Sequence, residues 1–405
     1  MTLDTAASAY VQLVLAVGQH DPGYVDAYYG PEALLPTGSA QPLEALLGQA
    51  QRLHSELLAL ALSGAERLRW QFLHKHVASV AVYIRKLQGE RLPFDQESLG
   101  LYDAVSPPVD EARLDAVLDG LGALLPGSGD VPERMVAYNR RFQIPVQRLD
   151  AVFSAAIAEA RQRTAQHIAL PPGESFRVEY VTNQVWSAYN WFQGRGHSLI
   201  QVNTDLPMGI SRAIDLAAHE GYPGHHVFHL LGEHHLVQGK GWLEYSVFPL
   251  YSPMALLSEG AANHGIEVVF PAEERLAFEQ AVLFPLAGLD SAEAPQYYRV
   301  QAVVQQLSYA GNMVAQRFLD GEIDAAQAVA LLMRYCLYDE ARARQRLRFI
   351  EHNRAYVINY NLGQDLVRRY LHRVAPAQDS AAQWVALTDL LLQPRTASML
   401  QEDTA

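Results

Sequence analysis

The 405-residue chain has little cysteine, a deficit of positive charge and no long hydrophobic run. Its single cysteine, Cys336, cannot form an intramolecular disulfide, and its apolar neighbours indicate a buried thiol. The 31 lysine and arginine residues are outnumbered by 44 aspartate and glutamate residues, for a net charge of -13. Such an acidic surface repels phosphate backbones and anionic lipid headgroups, so we expect neither nucleic acid nor a membrane as a partner.

The sequence also has no segment that resembles a membrane span or a leader. Crossing a bilayer takes about 18 or more consecutive apolar residues, and no such stretch occurs. The first residues show no basic segment followed by an apolar one. We therefore expect a cytoplasmic protein.

Apolar residues three and four positions apart dominate most of the chain and predict a mainly α-helical fold. These patterns resume from about residue 208 and continue to the end. The break at Pro171-Pro172-Gly173 suggests an N-terminal helical region, 1–173, that covers a cleft. A metal-site region, 174–405, would follow it, and we expect the two regions to form one cooperative unit.

A short stretch after this break has the alternating pattern of β-strands. Apolar and polar side chains alternate over 176–181, and a second short strand is predicted over 197–203. The sequence therefore predicts a small antiparallel β element beside the cleft. An edge strand there could bind an extended peptide, with Asn203 and the segment 189–191 lining the cleft.

A cluster of histidines follows directly and carries the chemistry. Six of the 15 histidines lie between 219 and 235, and the centre of the cluster is the segment 219–226, HEGYPGHH. In zinc hydrolases two imidazoles hold the metal, and a glutamate next to the first one activates water. His219 and Glu220, which follow an apolar helical run, match the first half of that pattern.

The second imidazole is not where the usual His-Glu-x-x-His motif has it, because Pro223 occupies that position. Proline removes a helical amide and Gly224 loosens the backbone, so we expect a local bulge that brings His225 to the metal. On an undistorted helix, His226 would occupy the matching face instead. The sequence favours His225 and leaves His226 open.

Three downstream glutamates compete for the third ligand position: Glu233, Glu244 and Glu259. Glu233 is predicted at a solvated helix end and Glu244 in a loop. Glu259 is a lone charge in a helix of small apolar residues, which could pack closely against the His219 helix. We therefore expect Glu259 to be the ligand, and Asn263, one turn later, to support a ligand histidine.

The segment 219–226, together with Glu259-Gly260, resembles a widespread bacterial domain-of-unknown-function family of predicted zinc metallopeptidases marked by the motif HExxPGHH. That family is similar in fold to the thermostable (Taq-type) carboxypeptidases of the gluzincin clan. The segments 320–328 and 360–364 resemble further blocks of the family, so the likeness covers about 175–400. Val227 and Phe228 replace the usual Leu-Gln, a difference that concerns the substrate pocket rather than the metal chemistry.

The resemblance implies a helical gluzincin-like fold with a deep cleft, and the residues suggest one role each. His219, His225 and Glu259 would hold one Zn²⁺ per chain, and Glu220 would act as general base. Tyr360 is the preferred donor to the oxyanion. Tyr356 and Tyr309 stay open as alternatives.

The predicted function is zinc-dependent hydrolysis of peptide bonds in oligopeptides, with carboxypeptidase action as one form of it. Arg195, Arg212 and Arg354 are the candidates for binding a terminal carboxylate. The alternatives are a zinc hydrolase of non-peptide amides and a metallopeptidase-like fold that binds without catalysis. A two-metal helical bundle is disfavoured because Glu-x-x-His pairs on two helices are missing.

Overall fold

The computed structural model describes residues 1–60, 62 and 64–402, and most of these residues are helical. The mainly α class predicted from the sequence is confirmed. The α-helices are α1 Leu3–Gly18, α2 Leu43–Leu58, α3 Ala65–Leu87, α4 Phe94–Tyr102, α5 Glu111–Leu124, α6 Val131–Arg140, α7 Leu149–Ala165, α8 Ser211–Leu216, α9 His225–Leu231, α10 Pro253–Val269, α11 Ala272–Phe278, α12 Phe284–Ala287, α13 Ala294–Val304, α14 Ala310–Leu319, α15 Ala325–Tyr335, α16 Glu340–Asn353, α17 Ile358–Val374, α18 Ser380–Leu391 and α19 Ala397–Glu402.

Wider and tighter helical segments interrupt this series. Wider π-helical segments are Ala217–Gly221, Gly232–Gly239 and Glu279–Leu283. Short 3₁₀ segments are Glu32–Leu34, Val146–Arg148, Leu243–Ser246, Ser291–Glu293, Gln305–Leu307 and Arg354–Val357. None of the helices in the described part of the chain has the length and apolar character that a bilayer span requires.

Two small sheets accompany the helices. The strands are β1 Val25–Tyr28, β2 Ser175–Val181, β3 Ala188–Gly194, β4 His197–Asn203 and β5 Val247–Pro249. β4 is the middle strand of a three-stranded sheet, in which β3 runs antiparallel to it and β2 parallel to it. β1 and β5 form a separate antiparallel pair. The small antiparallel β element was predicted from β2 and β4, but these two strands run parallel, because β3 lies between them in the sequence and reverses the chain direction. The antiparallel pairs are β3 with β4 and β1 with β5, and β1, β3 and β5 were not predicted as strands.

Helix α10 is buried on nearly all sides. It crosses α17 where Gly260 faces Gly363, and a Cβ atom added to Gly260 would lie 2.4 Å from the carbonyl carbon of Gly363. Because neither residue has a side chain, the two backbones touch. This crossing places the residues that precede Gly363 on α17 directly beside Glu259.

The N-terminal helix α3 contacts the beginning of α10. The Nε2 atom of His76 accepts a hydrogen bond of 3.1 Å from the backbone amide of Met254. Ser79 donates one of 3.2 Å to the carbonyl oxygen of Tyr251. These buried contacts fix the start of α10, because unpaired backbone groups in an apolar interior are costly.

Candidate metal centre and its cleft

The histidine motif lies where two helices meet around a distorted turn. His219 and Glu220 belong to the π-helical segment Ala217–Gly221, and His225 is the first residue of α9. The distortion predicted from Pro223 and Gly224 is present. Gly224 approaches the preceding turn so closely that an added Cβ would lie 1.9 Å from the carbonyl oxygen of His219. Only glycine fits at this position.

The distortion brings the imidazoles of His219 and His225 together beside Glu259. Their Nε2 atoms are 3.1 Å apart. Oε2 of Glu259 lies 3.1 Å from Nε2 of His219 and 3.7 Å from Nε2 of His225. Within the described residues, this cluster is the group of histidine, cysteine and acidic side chains whose geometry could hold a metal ion.

The donor atoms have the chemistry and spacing of a zinc site. Ligands about 2.0–2.2 Å from a tetrahedral zinc ion are about 3.3 Å from one another, close to the three separations in this cluster. Oε2 of Glu259 is buried and has no hydrogen-bond partner in the described structure. A buried carboxylate oxygen without a hydrogen bond is costly, and a cation held by the same three atoms would compensate it.

The other atoms of the three side chains are held by neighbouring groups. Nδ1 of His219 lies 3.0 Å from Oδ1 of Asn263, and Nδ1 of His225 lies 3.0 Å from Oγ of Ser258. An amide oxygen accepts, so Nδ1 of His219 donates and its Nε2 is left as the basic nitrogen. The support predicted from Asn263 is therefore in place.

Tyr356 and Asn263 connect this cluster to the segment around the start of α17. The hydroxyl of Tyr356 donates a 2.7 Å hydrogen bond to Oε1 of Glu259. The side-chain amide of Asn263 donates one of 3.0 Å to the carbonyl oxygen of Tyr360. Each of the three side chains of the cluster is thereby oriented by at least one further hydrogen bond.

His226 lies away from this cluster, although it is the next residue after His225. It is fully buried, with Nδ1 2.8 Å from Oγ of Ser198 and Nε2 3.0 Å from Oε2 of Glu174. Glu174 also accepts hydrogen bonds from Tyr222 and from Arg161. We call these five side chains the Glu174 network; it joins the three-stranded sheet to α9. This network could not be predicted from the sequence, because no local pattern marks Glu174.

The two glutamates that competed with Glu259 are engaged elsewhere. Glu244 is fully buried and pairs with Arg69 at 2.5 Å. Glu233 is buried, not solvated as predicted, and its carboxylate accepts hydrogen bonds from the backbone amides of Arg195 and Gly196. It closes the turn between β3 and β4, where Gly196 has a positive φ.

Burial and charge shift the pKa values of the acidic groups in opposite directions. Burial raises the pKa of Glu220, whose carboxylate forms no hydrogen bond or ion pair with the described residues. Burial also acts to raise the pKa of Glu259, but the imidazoles of His219 and His225 beside its carboxylate outweigh burial and hold the pKa well below the usual range. Two carboxylates in one site therefore differ in proton affinity, as an acid–base group and a ligand would.

The cluster opens into a cavity of about 960 Å³. Aromatic side chains line it, among them Tyr360 of α17 and Tyr189 and Trp191 of β3. Trp191 is 39% exposed, which places it at the rim. Asn203 is not among the lining residues: its side chain donates to the carbonyl oxygens of Gln184 and Trp186 and so holds the segment that precedes β3.

The three candidate tyrosines have different surroundings. The hydroxyl of Tyr360 forms no hydrogen bond with the described residues, and its ring lies 5.8 Å from that of Tyr356. Tyr356 is bound to Glu259. Tyr309 donates a 2.8 Å hydrogen bond to Asp365 and does not line the cavity.

Of the three arginines proposed to bind a terminal carboxylate, one lines the cavity. Arg212 lies there, 3.7 Å from Asp215. Arg354 is paired with Glu97 at 2.6 Å, and Arg195 lies in the turn between β3 and β4, outside the cavity lining. Arg346, which was not predicted from the sequence, lines the cavity instead.

No protein-family model and no curated protein matches the chain. Among solved structures, it is similar to a provisionally assigned lipoprotein from Colwellia psychrerythraea, with 16% identity and a TM-score of 0.55 over 92% of this chain and 70% of that one. A provisionally assigned lipoprotein of unknown function from Shewanella oneidensis has 14% identity and a TM-score of 0.46, over 86% of this chain and 72% of that one.

A third solved structure is the M32 carboxypeptidase from Deinococcus radiodurans R1, with 14% identity and a TM-score of 0.37 over 96% of this chain and 89% of that one. The likeness to the Colwellia protein shows a shared fold and nothing about chemistry. The family suggested by the histidine motif and the cytoplasmic location stay predictions.

Proposed function

We propose that this protein is a zinc-dependent hydrolase of peptide bonds in oligopeptides. The observation that carries the proposal is the convergence of two imidazole nitrogens and one carboxylate oxygen within 4.8 Å, in a cavity that also holds the carboxylate of Glu220. Two histidines, a glutamate and an adjacent glutamate base form the residue set of zinc peptidases.

In this proposal, His219, His225 and Glu259 hold the zinc ion and Glu220 handles protons. A bound zinc ion would supply Lewis acidity, which polarises a carbonyl group and makes water more acidic. Glu220 follows the first ligand by one residue, so its side chain points to a different face of the helical turn, beside the ion rather than at it. Its carboxylate takes a proton from the attacking water and returns it to the leaving amine.

The raised pKa of Glu220 supports this role. Burial makes the carboxylate a stronger base than an exposed glutamate. A general base is most effective when its pKa approaches the working pH. Arg212 is among the charges that act on Glu220 and lowers its pKa, which limits the rise.

Tyr360 is the proposed donor to the oxyanion. Its hydroxyl has no hydrogen bond to the described residues, and the side chain lines the same cavity as Glu220. A donor held in place before the reaction stabilises the developing negative charge without further reorganisation. Tyr356 is a positioning residue in this scheme, because its hydroxyl is already bound to Glu259.

Strand β3 offers a surface for the substrate backbone. It is an edge strand that pairs with β4 in the three-stranded sheet, and residues 188–191 line the cavity. An extended peptide can add to such an edge through main-chain hydrogen bonds. Asn190 fixes β3 against the π-helical segment Ala217–Gly221, because its side-chain amide donates a 2.6 Å hydrogen bond to the carbonyl oxygen of Glu220.

The test compares two glutamate variants in a peptide-library assay. We expect the purified wild-type protein to hold about one zinc ion per chain and to cleave members of a mixed library of short peptides, read by mass spectrometry. Glu220→Gln keeps the side-chain shape and should retain zinc, while hydrolysis falls by about 10²–10⁴-fold. Glu259→Gln should lose both zinc and activity.

Glu273→Gln, an exposed change on α11, is the matched control and should behave as wild type. Zinc-loaded Glu220→Gln protein that cleaves peptides as fast as wild type would contradict the assigned role of Glu220. A wild-type protein that binds zinc and peptides but cleaves no peptide would identify a binding protein or a hydrolase of other amides.

A further inference from the structure

One helix supplies a positively charged wall to the cavity. Six residues of α16 line it: Arg342, Gln345, Arg346, Phe349, His352 and Asn353. Their spacing of three and four residues places most of them on one helical face. Within a chain whose net charge is -13, this face carries two guanidinium groups and no carboxylate.

The two arginines on this face lack acidic partners. No carboxylate of the described residues lies within ion-pair distance of Arg346 or Arg342, although the chain has more acidic than basic residues. On the opposite face of the same helix, Arg344 is paired with Glu340 at 2.6 Å. An unpaired guanidinium that lines a cavity is a ready binding site for an anion.

Aromatic rings hold Arg346 beside the proposed reaction site. Its guanidinium carbon lies 4.8 Å from the centre of the Phe349 ring and 5.9 Å from that of Tyr360. Contacts then continue from Tyr360 to Tyr356 and from Tyr356 to Glu259. Stacking on aromatic faces orients a guanidinium while its N–H groups stay free to donate at the edge.

We propose that Arg346, assisted by Arg342, binds a carboxylate of the substrate. The inference rests on the proposed function, because it takes a peptide to be the occupant of the cavity. A planar guanidinium binds a carboxylate through two parallel N–H···O bonds. The carboxylate can be the carboxyl terminus of the peptide or an acidic side chain, and the two sources have the same chemistry at Arg346.

Peptide binding to a variant with slowed hydrolysis tests the subsite without requiring turnover. Zinc-loaded Glu220→Gln protein is titrated by calorimetry with three N-acetylated pentapeptides of alanine and leucine. The first has a free carboxyl terminus, the second a C-terminal amide, and the third a C-terminal amide together with one glutamate. The same titrations are made with Arg346→Met and Arg346→Lys added to this background.

Arg348→Met is the matched control, since Arg348 is an exposed arginine of α16 outside the cavity lining. We expect Arg346→Met to weaken binding of the carboxylate peptide by about 10–100-fold, the usual effect of losing hydrogen bonds to a charged group. Binding of the neutral amide should be weak and unchanged. Arg346→Lys should recover part of the affinity, and Arg348→Met should have no effect.

The three peptides distinguish the sources of the carboxylate. Preference for the free terminus, lost in Arg346→Met, supports terminal recognition; preference for the glutamate peptide, lost in the same way, supports an acidic side chain. Equal binding of all three peptides, no binding of any, or an unchanged preference in a folded Arg346→Met protein overturns the subsite. Library hydrolysis by the wild type is measured separately, so the proposed function can stand when the subsite fails.

Discussion

The hydroxyl of Tyr356 bonds to Oε1 of Glu259, the oxygen that does not face the two imidazoles. Oε2 is thereby left for the cluster. Tyr360, one turn further along the chain, contacts Tyr356 by its ring and keeps its hydroxyl without a partner among the described residues. The sequence predicted both tyrosines as possible donors to an oxyanion, and their different contacts support the two separate tasks proposed for them.

Phenylalanine substitutions should separate these two tasks. Tyr360→Phe should leave zinc content unchanged and lower kcat by about 10²–10³-fold, because one donor to the oxyanion is lost. Tyr356→Phe should weaken zinc affinity by about 10–100-fold, the usual loss when a group that orients a ligand is removed. Metal titration with a competing chelator and steady-state kinetics on one library peptide measure both effects. A loss of zinc in Tyr360→Phe would reverse the assignment.

Alanine substitutions should separate the two adjacent histidines. His225→Ala should abolish zinc retention, since its Nε2 belongs to the cluster. His226→Ala should retain zinc but lower the free energy of unfolding by about 1.5–3 kcal/mol, because it removes one hydrogen-bond partner of the buried carboxylate of Glu174. Zinc analysis and urea unfolding provide the readouts. The opposite ranking in zinc affinity would show that His226 is the ligand.

The contact between α10 and α17 predicts a large effect of one methyl group. Gly260→Ala should destabilise the fold by several kcal/mol or prevent folding, because the new Cβ would meet the backbone of Gly363 at 2.4 Å. Gly120→Ala on α5 is the control, since nothing lies within 4 Å of its added Cβ. It should be neutral or stabilising by up to about 1 kcal/mol. Thermal and urea unfolding of both variants measure the difference, and equal stability would contradict the backbone contact.

The Glu174 network should make the fold sensitive to acid. Burial acts to raise the pKa of Glu174, but hydrogen bonds from His226, Tyr222 and Arg161 outweigh it and lower the pKa to about 2. A carboxyl group whose pKa is lower in the folded state stabilises the fold above its unfolded pKa, about 4.5. That contribution is lost as the pH falls from there through about 2.

Glu174→Gln should therefore lose stability at neutral pH and show a flatter loss of stability below pH ~4.5. Urea unfolding at a series of pH values, with a chelator present to remove any effect of metal, measures the two curves. Glu273→Gln, the exposed control, should follow the wild type. Parallel curves for wild type and Glu174→Gln would show that the network does not hold Glu174 ionised.

The helical class and the cluster were predictable because their signals are local. Apolar spacing indicates helices directly, and the distortion at Gly224 follows from Pro223 and its own missing side chain. Glu259 was recognisable as one charge in an apolar helix. Each of these inferences used residues within a few turns of one another.

The parts that were missed depend on contacts between distant residues. Strand β1 pairs with β5, more than 200 residues later, so neither has a partner visible in the local sequence. Strand β3 lies in an aromatic segment that was predicted only as a cleft wall. Arg346 belongs to a helix with several arginines, and only the packing shows that it faces the cavity while Arg344 pairs with Glu340.

The six-residue interval between His219 and His225 has a consequence for recognising such sites elsewhere. A search for the pattern His-Glu-x-x-His assumes a regular helix between the two imidazoles, and it would pass over this chain. The π-helical turn and Gly224 bring Nε2 of His219 and Nε2 of His225 to within 3.1 Å of each other, although the two residues are further apart in the sequence than in that pattern. Distances between side-chain nitrogen atoms in three dimensions are therefore the better criterion for grouping proteins of this kind.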